Sequence, residues 1–271
     1  MNELQTKLVD MLEWFHTFCE DNKIRYYLVC GTMLGAVRHN GIIPWDDDID
    51  VAMPRPDYER LRNLCSQCRS GKYVIEYPDR KVGEYPYLSA KVYDTQTTLI
   101  EKYRKPVKRG IYIDIFPLDG VGNDYNTALK EFKRLQKKLT LNSMISCAML
   151  PRRKWHKNVA IALGRIISPL FVNKKRLVDK IERMCQEYSY HDSVYVANIT
   201  CGFGARGIVK KEWFGEPKLY EFEKLKVYGM EDPDSYLTAI YGDYMQPPPE
   251  DKRVSVHDYE LLDLNKSYLE E

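Results

Sequence analysis

The run Ile43-Pro44-Trp45-Asp46-Asp47-Asp48-Ile49-Asp50-Val51 decides how the rest of this chain is read. Four acids in five positions repel one another, and no fold requires them. Acid and apolar residues alternate over Asp48–Met53, which predicts a strand; Pro54 and Pro56 close it, and Asp57 opens the next helix. Side chains alternate faces along a strand, so Asp48 and Asp50 share one face while Ile49 and Val51 enter the core. Two carboxylates side by side on a rigid strand suit a hard divalent cation. Mg2+ takes one or two carboxylates and leaves its other positions to water and substrate phosphates. A solitary Asp-x-Asp also occurs in ordinary surface turns, so the neighbouring segments must carry the reading.

Upstream, Leu4, Leu8, Met11, Leu12, Phe15 and Cys19 recur at helical spacing, which predicts a helix over 3–20. Arg25–Cys30 is a short apolar run that reads as a buried strand and stops at Gly31. Gly31-Thr32-x-x-Gly35 then forms a turn into a short helix, where backbone N–H groups can face a phosphate. Arg38 and His39 follow at once. Downstream the period is mostly two, and Tyr73–Tyr77, Tyr87–Tyr93, Thr97–Glu101 and Gly110–Phe116 are expected strands. The last holds one acid, Asp114, among apolar neighbours, where a charge is costly unless paired or metal-bound. Asp114 is thus a third ligand, or the base for an attacking hydroxyl; an ion pair to Lys or Arg is the structural alternative. The whole follows the logic of metal-dependent nucleotidyl or phosphoryl transfer, in which cations clamp nucleophile and leaving group.

Other residues carry weaker signals. Lys91 lies on an expected strand and either neutralises a phosphate or is solvated. Asp46 and Asp47 either support the ligands or are solvated. Asp243 and His257, in C-terminal motifs, can reach the site. The chain has 21 tyrosines against eight phenylalanines, and aromatic faces hold quaternary ammonium groups. A donor pocket beside Asp48 and Asp50 is therefore expected, walled by Trp45 or by Tyr87, Tyr93 or Tyr112.

The 271 residues carry 44% apolar and 30% charged residues, with a net charge of +2. That balance excludes disordered, collagen-like and low-complexity readings. Residues 130–180 hold 14 Lys and Arg against two acids, Glu131 and Asp179, so this part is built to meet anions. Its aromatics are too few for a stacking surface, and no nucleic acid is expected. Val159–Val172 is apolar but interrupted by Arg165 and Pro169, too short to span a bilayer, and reads as a buried or membrane-surface helix. No secretory pattern opens the chain. Seven widely spaced cysteines suggest reduced thiols, with Cys65 and Cys68 as two ordinary helix residues. The expected location is cytoplasmic, with peripheral contact at an anionic membrane face. Long helical patterns fill 125–187, broken at Pro151 and Pro169. Leu219–Tyr228 alternates, and Asp232-Pro233 starts a helix that ends at Gly242. The fold class is α+β: a mixed sheet flanked by helices, with a catalytic core over 1–124, a basic helical region over 125–205, and a C-terminal segment over 206–271 that packs back on the core.

The sequence resembles the LicD family of the nucleotidyltransferase-fold superfamily, which includes the fukutin-related proteins. The carrying residues are Gly31 through Val51 (GTMLGAVRHNGIIPWDDDIDV), Tyr112–Asp119 (YIDIFPLD), and Tyr241–Met245 (YGDYM) with Pro247–Pro249. The resemblance implies transfer of a phosphoalcohol, typically phosphocholine from a CDP-activated donor, to a glycan or lipid-linked glycan acceptor. It implies Mg2+, with Mn2+ as an alternative ion, and places the metal-carboxylate role on Asp48, Asp50 and Asp114. Fifteen residues separate Thr32 from Asp48, slightly more than the superfamily pattern has. Two other readings keep part of the chemistry: transfer of phosphoethanolamine, polyol phosphate or sugar phosphate to a capsule or teichoic-type polymer, and a glycosyltransferase whose Asp-x-Asp binds a nucleotide sugar. The second predicts a longer N-terminal βαβ unit than the sequence contains.

Overall fold

The computed structural model describes residues 1–65, 71–78, 87–146, 154–159, 161–163, 172–200, 202–255, 257 and 259–270. Cys68, Cys147, Cys201, Pro151, Pro169 and most of the apolar stretch 159–172 lie outside the described residues.

Helix α1 (Glu3–Asp21) begins at Asn2, whose side chain accepts from Gln5 N while Gln5 Oε1 accepts from Asn2 N, a reciprocal cap that satisfies two orphan donors. Strand β1 is only Tyr27–Leu28, shorter than the expected Arg25–Cys30. Cys30 turns to φ 54° and opens α2 (Cys30–His39), so the chain leaves the sheet two residues early. Strand β2 (Asp50–Pro54) leads directly into α3 (Arg55–Cys65). Asp48 therefore stands in the extended approach to the strand rather than in it.

Strands β3 (Tyr73–Glu76), β4 (Ala90–Asp94), β5 (Thr98–Glu101) and β6 (Val107–Arg109) follow. The long β7 (Tyr112–Gly122) outruns its expected end at Phe116 because its second half has a partner of its own. The main sheet runs β1-β2-β7-β4-β3, and only β2 and β7 in that path are parallel. Beyond Phe116, β7 pairs with β8 (Tyr195–Ala197), which pairs with β9 (Ile208–Lys210). Helices α4 (Tyr125–Ser146) and α5 (Lys174–Cys185) lie between. The alternating segment is the hairpin of β10 (Lys218–Phe222) and β11 (Leu225–Gly229). Helix α6 (Pro233–Tyr241) starts as expected, with Asp232 accepting from Ser235 N and proline in the first turn. The tail adds one unexpected strand, β12 (Tyr259–Asp263), paired with β5.

The chain is thus α+β with a mixed sheet. The larger core joins α1, α2 and the sheet to Phe214, Phe222, Met230 and Leu237 of the C-terminal segment. A smaller one, with Phe132, Leu135, Leu177 and Ile181, lies between α4 and α5. Arg55 binds them together: it forks onto both oxygens of Asp119 at 2.6 and 2.9 Å and reaches Glu182 of α5 at 2.9 Å. Among the described residues, no helix is long and apolar enough to cross a membrane.

Candidate active site

Three charged residues form a row across the middle of the sheet. In the parallel register of β2 and β7, Asp50 stands opposite Asp114; in the antiparallel register of β7 and β4, Asp114 stands opposite Lys91. Cross-strand partners share a face. The Lys91 ammonium bonds both Asp114 oxygens, at 2.7 and 2.8 Å. Lys91 is 3% exposed, so the solvated alternative falls. Burial pulls its ammonium below the ordinary range, and Asp114, Asp50 and Asp48 pull it back. The same ammonium lies 3.4 Å from the centre of the Tyr112 ring and 4.4 Å from that of Tyr87. Those two rings were expected to face a ligand cation, yet their faces are turned to an internal one. Both phenols donate to Glu101, whose carboxyl burial pushes up to about 7 against the Tyr112 hydrogen bond. Tyr93 is fully buried behind Tyr112.

The approach to β2 is held from two sides. Gln5 Nε2 donates to the Asp46 carbonyl at 2.9 Å, and Thr32 Oγ1 accepts from Asp50 N at 2.8 Å. The turn at Thr32 was expected to offer its backbone N–H groups to a phosphate; the Thr32 hydroxyl, for its part, fixes the backbone of a carboxylate strand. Gly31 lies in the first turn of α2, and a Cβ there would meet Asp46 Oδ2 at 2.7 Å. The Asp46 carboxylate therefore sits against the positive end of α2, which no side chain caps. Asp46 hydrogen-bonds Asp48, and burial with the charge of Asp46 pushes Asp48 up to about 7. Gly35 is required by packing, since a Cβ would meet the Gly41 carbonyl at 2.4 Å.

The C-terminal tail closes over the acids. Ser255 Oγ, His257 Nδ1 and Tyr259 Oη all reach the Asp47 carboxylate, at 2.6–2.7 Å. Burial raises the Asp47 carboxyl, but these bonds outweigh it and hold the group below the usual range. The Asp47 hydrogen bond raises His257 to about 9. Neither Asp46 nor Asp47 is simply solvated. Ser255 and Tyr259 escaped the sequence reading because their only signal, a short alternation after a charged tail, does not name a partner. Arg38 donates to the Tyr244 carbonyl at 2.7 Å, His39 is exposed and meets the edge of Trp45, and the Arg253 guanidinium covers the Trp45 ring at 5.4 Å. That tryptophan face is also occupied from within. Asp243 is exposed after α6, and no described contact joins it to the acids.

Hard oxygen donors crowd this site. One ligand atom each from Asp47, Asp48 and His257 lies within 4.8 Å of the others, and His257 Nε2 is 3.6 Å from Asp48. A divalent cation would relieve the crowding that raises Asp48; among the described residues the group at metal-ligand spacing joins Asp48 to Asp47 and His257 and does not take in the expected Asp50 and Asp114. Asp114 also lines a cavity of about 730 Å³, together with Tyr87, Phe116 and residues of α4.

Comparison with known proteins agrees with this geometry. Residues 23–142 match the model of the LicD/FKTN/FKRP nucleotidyltransferase domain. A lipopolysaccharide cholinephosphotransferase LicD of Haemophilus influenzae is 30% identical over 95% of this chain and 96% of its own. A mannosyltransferase regulator of Saccharomyces cerevisiae is 27% identical over 52% of this chain, but only 12% of its own length. With the acid row on β2 and β7 inside the matched domain, and similarity running nearly end to end, the chain belongs to the LicD family of phosphotransferases.

Proposed function

We propose that this protein transfers phosphocholine from CDP-choline to a hydroxyl of a cell-surface glycan precursor, with a divalent cation, on the cytoplasmic side of a membrane. The observation that carries the reading is the alignment of Asp50 with Asp114 on adjacent parallel strands, with Asp48 just ahead of the strand. The cholinephosphotransferase relative supports phosphocholine as the transferred group, and the lipopolysaccharide in its name supports a glycan acceptor; the CDP carrier comes from the family resemblance.

The acceptor oxygen forms a new bond to the phosphorus that carries choline. The phosphorus–oxygen bond to the cytidylyl phosphate breaks, CMP leaves, and the hydroxyl proton passes to Asp114. Held by Asp48, Asp50 and Asp114, Mg2+ would neutralise the phosphates and acidify the hydroxyl. Lys91 holds both Asp114 oxygens and so fixes the plane in which that carboxylate meets the hydroxyl. Thr32 fixes Asp50 through its N–H, so the two strand acids keep their spacing as charge builds. The α2 N-terminus beside Gly31 favours an anion and is a place for a donor phosphate if Asp46 yields it.

The test is a panel of CDP-alcohols and nucleotide sugars incubated with the protein and Mg2+. CMP from CDP-choline supports the proposal. Release of a nucleoside diphosphate from a nucleotide sugar points to glycosyl transfer, and CMP only from another CDP-alcohol changes the alcohol.

A further inference from the structure

Glu101 lies behind the acid row, and the mechanism above gives it no part. It ends β5, in a separate three-stranded sheet ordered β12-β5-β6. Its register partner across the strands is Tyr259 of β12, so the two side chains share a face. That face is turned to the acids. Tyr259 Oη donates to Asp47 at 2.7 Å, and Glu101 accepts from both Tyr112 and Tyr87. The small sheet thus meets the site at two points.

The Glu101 contacts match what lies beyond them. Tyr112 Oη donates to Oε1 and Tyr87 Oη to Oε2, so each carboxylate oxygen takes one phenol. A ring anchored at Cβ by the backbone and at its hydroxyl by Glu101 cannot tilt freely. Tyr112 and Asp114 stand two apart on β7 and share a face, and Lys91 stands opposite Asp114 on β4. An ammonium has three N–H donors. Asp114 takes two, at 2.7 and 2.8 Å, and the Tyr112 ring face, its centre 3.4 Å from the nitrogen, receives the third. Tyr87 adds a second face at 4.4 Å. A carboxylate that accepts from a phenol also polarises it, and the ring then holds a cation more firmly. Burial works against the Glu101 charge and pushes the carboxyl up to about 7. For packing alone, an apolar group would serve better in its place.

We propose that Glu101 is a positioning residue: by holding the hydroxyls of Tyr112 and Tyr87 it sets their ring faces against the Lys91 ammonium, and through Lys91 it fixes the orientation of the Asp114 carboxylate. The inference rests on the phosphotransfer reading for its effect on turnover, and on the contacts alone for its effect on Lys91. Glu101 acts through the rings, not on the reacting groups.

The experiment reads both effects at about pH 8, above the Glu101 value. Glu101→Gln keeps the shape, removes the charge and leaves one acceptor oxygen for two phenols. Tyr112→Phe keeps the ring and removes its hydroxyl. Far-ultraviolet dichroism and melting check that both variants fold. NMR of protein with isotope-labelled lysine reads Lys91: its Cε protons, beside two ring faces, resonate upfield of surface lysines and are identified by their absence from Lys91→Arg. Lys72, 4.8 Å from the centre of the Tyr73 ring, is the internal control. CMP release from CDP-choline with Mg2+ reads turnover. In both variants the Lys91 signal should move toward the ordinary lysine position while Lys72 stays. The kcat per folded molecule should fall about tenfold or more, with the CDP-choline KM held within about twofold. A Lys91 signal unmoved by Glu101→Gln overturns the proposal, as does a moved signal with kcat intact. A raised KM at unchanged kcat also overturns it, because Glu101 then serves donor binding. If the unaltered protein releases no CMP from any CDP-alcohol, the donor reading fails, and the Lys91 signal decides the role of Glu101 without it.

Discussion

The Lys91 ammonium holds both oxygens of Asp114 and lies against the faces of Tyr112 and Tyr87. The side chains of this pair are 4% and 14% exposed, so each charge depends on the other. Lys91→Met should cost about 3–5 kcal/mol of stability in urea unfolding. The double variant with Asp114→Leu should lose less than Lys91→Met alone, because no uncompensated buried charge remains. A Lys91→Met cost under about 1 kcal/mol, the value of a surface pair, would show that water reaches the site.

Asp48→Asn and Asp50→Asn should each lower CMP release by roughly a hundredfold or more, since several kcal/mol of charge stabilisation are lost. Both should fold. In EDTA, Asp48→Asn should melt above the unaltered protein, because it removes a charge crowded against Asp46. Mg2+ should raise the Tm of the unaltered protein and leave that of either variant nearly unmoved. An equal Mg2+ response in all three would remove these acids from the metal site.

The Arg55–Asp119 pair belongs to the other end of β7. Asp119 lies five positions beyond Asp114, about 16 Å along a strand. Arg55→Met leaves the buried Asp119 charge unpaired and should cost about 3–5 kcal/mol. CMP release per folded molecule should not change. Loss of release in protein shown by dichroism to be fully folded would mean that the far end of the sheet is coupled to the acids.

The exposed Lys130, Lys133 and Lys137 of α4 should bind liposomes containing anionic lipid. Each lysine near such a surface contributes about 1 kcal/mol. Flotation should succeed at low salt and fail at high salt, and Lys133→Glu with Lys137→Glu should abolish it. Unchanged flotation of the double variant would assign membrane contact to another part of the chain.

His16 Nδ1 lies 2.8 Å from the Tyr26 hydroxyl, and burial holds the imidazole below its ordinary 6.5 against the pull of Glu20. A histidine with a lowered folded pKa binds its proton more readily when unfolded. Its contribution is complete above pH 6.5 and is lost as pH falls through the folded value. The Tm should therefore fall between neutral and mildly acidic pH, and His16→Gln should fall less. Parallel Tm curves would place the acid sensitivity elsewhere.

Local pattern carried much of this protein. The helix over 3–20, the existence of a strand at Val51–Met53, the lone Asp114 and the Asp232-Pro233 helix start are all readable, because their signals lie two to four residues apart along the chain; Pro54, expected to close that strand, is its last residue, and the next helix opens at Arg55 rather than Asp57. Strand ends were less legible. Strand β7 runs on past Phe116 only because Val196 and Ala197, almost eighty residues later, pair with it, and β1 stops early because Cys30 takes a left-handed turn.

By itself, the sequence determined that an acid cluster would lead into a strand beside a Gly-Thr turn and an isolated acid, and with them the class of chemistry; it placed Asp48 on that strand, which starts only at Asp50. Only the tertiary structure decided which partners those acids keep. Lys91 meets Asp114 across 23 positions, and Tyr259 meets Asp47 across 212. It also decided that Tyr87, Tyr112 and Trp45 spend ring faces on Lys91 and Arg253. The physical reason is that periodicity reports which face a side chain takes, whereas a buried charge chooses its partner from whatever the folded chain brings within about 3 Å.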